Sequence, residues 1–62
     1  MDNYNDYNVI IYLNKIIDYI QLEGTTEKIA ISVANEAFNN RVGADKVMVI
    51  DNDYKVVYTI EA

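Results

Sequence analysis

A chain of 62 residues makes one small domain at most, and 52% hydrophobic against 24% charged residues is a globular rather than a disordered composition. Ten acids against five bases leave a net charge of −5, and Cys, His, Trp and Pro are absent. Disulfides, thiolate nucleophiles, imidazole catalysis and Cys/His metal sites are excluded by that inventory.

Size sets the next bound. A domain of about 60 residues buries only roughly 60% of its unfolded surface, and such a core seldom supplies more than about 3–5 kcal/mol. Without Cys or His, neither a disulfide nor a soft-ligand metal can make up the difference. A homodimer or an obligate complex with another protein is therefore expected. No apolar run reaches the ~18 residues of a membrane helix. The opening stretch, Met1 to Asp6, is acidic and polar, unlike the basic front of a secretory leader. The expectations are a cytoplasmic protein and no membrane association. Nine Ile, eight Asn and six Tyr against two Leu and no Pro match AT-rich coding sequence, which points to a low-GC bacterium or a virus of one.

In chain order, the first expected element is a helix over about 7–22. Val9, Leu13, Ile16, Ile17 and Ile20 fall on one face at 3.6 residues per turn, Asp6 stands at the N-cap and Gly24 at the stop. The short run Val9–Tyr12 would also suit a strand, but the longer register favours the helix. A second helix is expected over about 26–41, capped by Thr25 and ended by Gly43. Its inner face is Ala30, Val33, Ala34, Ala37 and Phe38, and its small residues suit close packing. Two β-rich runs, about 46–50 and 55–60, flank Asp51-Asn52-Asp53-Tyr54 and read as a hairpin. A two-residue loop at Asn52-Asp53 would put Val47, Val49, Val56, Tyr58 and Ile60 on the core side, with Met48, Ile50 and Val57 on the other. The expected fold is thus α+β, in α-α-β-β order, with two helices on one face of a C-terminal hairpin.

Candidate chemistry is sparse. Ten carboxylates permit an acid–base pair, but most sit at turns, caps or polar faces, and Ser32 has no His to activate it. Asp51-Asn52-Asp53 resembles the start of a calcium loop, yet Lys55, Val56 and Ala62 stand where oxygen ligand, Gly and Glu are needed. The five bases are scattered and only two glycines exist, so neither a nucleic-acid surface nor a phosphate loop is expected. No enzyme activity, metal or cofactor is expected.

What remains is surface. Residues 1–27 carry five acids and one base, net −4, while residues 28–62 are net −1. An acidic half bearing Tyr4, Tyr7 and Ile11, with Asp6 and Asp18, suits a basic patch on a partner protein. Met48, Ile50 and Val57 make the other candidate contact, being too apolar for a fully solvated face. The expected function is a small acidic binding regulator or inhibitor that occludes a basic site on a partner. The alternatives are a structural subunit of a homo-oligomeric assembly and a nucleic-acid mimic that blocks a DNA- or RNA-binding protein.

Overall fold

Asn14 and Lys15 both adopt positive φ, 48° and 71°. That is the two-residue turn whose twist suits a β-hairpin. It folds the segment expected to be the first helix into two antiparallel strands, β1 (Asn5–Leu13) and β2 (Ile16–Thr25). The computed structural model describes residues 4–62. After the hairpin come one helix, α1 (Glu27–Asn40), and two further strands, β3 (Ala44–Asp51) and β4 (Val56–Glu61). The order is β-β-α-β-β, not α-α-β-β. The four strands form one antiparallel sheet, ordered β2-β1-β3-β4, with α1 crossing over β1 to connect the strands on either side of it.

The error in the helical reading has a physical cause. Residues 7–22 are apolar on nearly every side, so they satisfy a period of 3.6 and a period of 2 at once. Val, Ile and Tyr dominate the stretch, and such β-branched and aromatic side chains fit a pleated surface better than a helix. In the sheet, Tyr7, Val9 and Ile11 face α1, and Asn8, Ile10 and Tyr12 face away. Ile16 and Ile17, expected in the core, are 65% and 60% exposed. Gly24, read as a helix stop, lies in β2 at φ 61°, beside the register shift opposite Asp6.

The core is a two-layer sandwich. Val9, Ile11, Val47 and Val49 from the two central strands are fully enclosed beneath Ala30 and Ala34 of α1. Ala37 completes the alanine stripe, and Ile20, Leu22, Val33, Phe38, Tyr58 and Ile60 close its sides. The helix begins at Thr26, whose hydroxyl accepts the Ile29 N–H at 3.3 Å. The cap is therefore Thr26 rather than Thr25, whose residue is buried at the end of β2. Thr26→Ala should cost about 1 kcal/mol, read as a lower urea midpoint with an unchanged slope.

The β3–β4 turn also differs from expectation. Asp51 accepts the N–H groups of Asp53 and Lys55 through one carboxylate oxygen, at 2.9 and 3.0 Å, and Tyr54 takes a positive φ of 62°. This longer turn pairs Ile50 with Val56, and a bulge then pairs Val49 with Tyr58 and Met48 with Thr59. A slip of register exchanges faces. Val56 is on the side away from α1, and Val57 packs against the core cluster, the reverse of the sequence reading.

Candidate protein-binding surface

One helix covers one face of a four-stranded sheet, and the other face has no covering layer among the described residues. Register fixes what that outer face presents. Ile17, Tyr19 and Gln21 come from β2; Asn8, Ile10 and Tyr12 from β1; Lys46, Met48 and Ile50 from β3; and Val56, Thr59 and Glu61 from β4. Its middle is apolar, with a hollow of about 270 Å³ between Asn8, Ile10, Ile17, Tyr19 and Ile50. Charge is confined to its ends. Lys46 pairs in register with Glu61 and holds its ammonium 5.7 Å from the Tyr12 ring centre, within cation–π range. At the opposite end Asp6 and Glu23 flank the register shift of β1 and β2, while Asp51, paired with Tyr7, is turned to the helix side.

The candidate residues divide by location. Met48 and Ile50 lie on the outer face, both half-buried. Tyr4 is exposed, just ahead of β1. Tyr7 and Ile11, expected at an interface, are instead core residues, 7% and 0% exposed, because the strand points them at α1. Val57 is half-buried against the core at the bulge. Asp2, counted in the acidic half, lies outside the described residues.

Asp6 and Asp18 are on the surface but already engaged. Asp6 accepts the Gly24 N–H at 3.0 Å, fastening the start of β1 to the end of β2. One oxygen of Asp18 accepts the Tyr19 N–H at 2.9 Å, and the other lies 3.3 Å from the Arg41 guanidinium. Asp45 likewise accepts the Asn14 N–H at 3.1 Å, tying the β1–β2 turn to β3. With Asp51, four of the five aspartates among the described residues act as acceptors for the chain's own amides. Carboxylates committed in this way are poor stand-ins for a row of phosphates.

The residues missed by sequence reasoning are Ile10, Tyr12, Ile17, Tyr19 and Val56. The first four fall within the helix expected over 7–22, where Ile17 belongs to the apolar face. The available signal was composition, the crowding of Val, Ile and Tyr on either side of Asn14-Lys15. Among the described residues, no group of three or more Asp or Glu is placed to hold a metal ion. The Asp51 carboxylate oxygen that a calcium loop would need is taken up by the turn itself.

Fold and surface define a class: a two-layer ββαββ domain with an open, half-apolar sheet face. No protein-family model matches the chain, and no curated protein or solved structure matches it.

Proposed function

We propose that this chain is a small, non-catalytic protein-binding regulator that acts by occupying a site on a partner protein. The outer sheet face carries this reading. It places Ile10, Ile17, Tyr19, Met48, Ile50 and Val56 side by side where solvent meets them, with acids only at its margins. A contiguous apolar patch rimmed by polar residues is characteristic of an interaction site. The fitting partner offers an apolar element across the sheet, with basic residues toward Asp6 and Glu23. Steric occlusion then supplies the activity, and charge sets orientation and encounter rate.

The test is affinity capture from native cytoplasm with the wild-type chain and with Ile10→Lys and Met48→Lys variants. Circular dichroism serves as the control for folding. A partner retained by wild type and lost by both variants is the expected result. Equal capture by all three would remove the face from the mechanism. Loss on Asp6→Asn with no loss on Met48→Lys would return the contact to the acidic end. A second reading, a subunit of a homo-oligomeric assembly, is favoured by one separate feature, the exposed edge formed by β2.

A further inference from the structure

The two edges of the sheet are not alike. β4 is six residues long, carries a bulge and follows Lys55, all features that discourage another strand from pairing. β2 is ten residues long, contains no Lys, Arg or Pro, and is irregular only at its far end near Gly24. It also carries Ile16, Ile17 and Tyr19, the last 67% exposed. The helix accentuates the asymmetry. α1 lies over β1 and β3 and leaves a cleft of about 340 Å³ toward β2, lined by Ile20, Val33, Ala37 and Arg41 among others.

The turn at Asn14-Lys15 sets which main-chain groups of β2 remain free. Leu13 and Ile16 close the turn, so Asp18, Ile20 and Leu22 direct their amides toward β1, and Ile17, Tyr19 and Gln21 direct theirs outward. The Tyr19 N–H agrees with this phase: its acceptor is the neighbouring Asp18 carboxylate, not a strand.

We propose that β2 is a self-docking edge, on which a second copy of this chain adds its own β2 antiparallel about a two-fold axis at Tyr19. The two four-stranded sheets become one continuous sheet with both helices on the same side. In that register Tyr19 faces its own copy, Ile17 faces Gln21, and Lys15 faces Glu23 twice, once on each side of the axis. Ile16 meets Leu22 of the other copy on the helix side. Moving the axis to Ile17 or Gln21, the neighbouring positions of the same hydrogen-bond phase, breaks the Lys15–Glu23 complementarity. That charge match selects a second copy over an unrelated strand. Asp18 is the guard of this edge, because its carboxylate holds the Tyr19 N–H that an incoming strand must take. A seam of this kind lies at the small end of interface sizes, so a reversible dimer in the micromolar range is expected.

Sedimentation equilibrium on the full chain tests the proposal. Wild type should be a monomer–dimer mixture, and Asp18→Ala should tighten it by about tenfold or less. Lys15→Glu and Glu23→Lys should each weaken it by about tenfold, since both facing pairs become like charges. An equimolar mixture of those two variants should associate as well as wild type, a rescue that a folding defect could not produce. Met48→Lys should dimerise like wild type, because the outer face stays free, even while it loses the partner sought above. A monomer throughout, for wild type and Asp18→Ala alike, overturns the proposal. So does a dimer that ignores Lys15 and Glu23 but dissociates on Met48→Lys, which would mean that copies stack through the outer face.

Discussion

Ile11→Ala should leave the chain largely unfolded at room temperature. Ile11 sits in β1, one of the two central strands, between Asp18 of β2 and Val47 of β3, and is fully enclosed. Truncating a buried Ile to Ala costs about 2–5 kcal/mol, and a domain of this size rarely has more than about 3–5 kcal/mol to lose. Ile10→Ala, one residue away on the outer face, should stay within about 1 kcal/mol of wild type. Urea denaturation followed by circular dichroism separates the two. The pair also discriminates between folds. In a helix over 7–22, Ile11 would lie on the polar face and its truncation would be harmless, while Ile17→Ala would be severe. The sheet reverses that order, and a stable Ile11→Ala variant would contradict it.

That reversal locates what was legible in the chain. The segment 26–41 shows a helix because its apolar positions recur only at helical spacing, broken by Lys28, Ser32, Asn35, Glu36 and Asn39 on the far side. Its observed span is Glu27–Asn40. The C-terminal runs show strands because Val, Ile and Tyr crowd them between turn-forming Asp and Asn. Residues 7–22 lack any such contrast. Apolar side chains fill both faces of both strands there, since β1 is central and the outer face is itself half-apolar. Two periodicities then fit equally well. The decisive residue pair, Asn14-Lys15, lacks the glycine that usually advertises a two-residue hairpin turn. Its positive φ at Lys15 comes from the pairing of the flanking strands, which local sequence does not display.

The candidate surface was legible only in part, for the same reason. Met48 and Ile50 follow from alternation within β3 alone. Their neighbours Ile10, Ile17 and Tyr19 could be found only after β1 and β2 are strands. The aspartates misled in a different way. A carboxylate read from sequence is a charge available to a partner, but Asp6, Asp18, Asp45 and Asp51 are acceptors for nearby amides. Edges and turns of a small sheet leave main-chain N–H groups without strand partners, and short acidic side chains satisfy them where they lie.

Ala34→Leu should produce the second large loss, from the opposite cause. Ala30, Ala34 and Ala37 recur at four and three residues, so they form one stripe, and Ala30 and Ala34 are wholly enclosed against Val9, Ile11, Val47 and Val49. A methyl group at these positions lets the helix backbone lie close to the sheet. Three extra carbons at Ala34 have no cavity to enter, and overpacking of this kind costs about 1–3 kcal/mol. The same change at Ser32, on the exposed side of α1, should be nearly neutral, because Leu is a good helix former and meets only solvent there. Ala34→Gly provides the scale. It creates no clash and should cost about 1 kcal/mol through helix propensity and roughly 0.8 kcal/mol more for the lost buried methyl. The expected result is a near wild-type urea midpoint for Ser32→Leu and clearly lower midpoints for both Ala34→Gly and Ala34→Leu. If Ala34→Leu is as stable as Ser32→Leu, the helix does not rest on its alanines. The cleft toward β2 would then be slack in the packing of α1, and the open inner face of β2 would no longer argue for a second copy beside it.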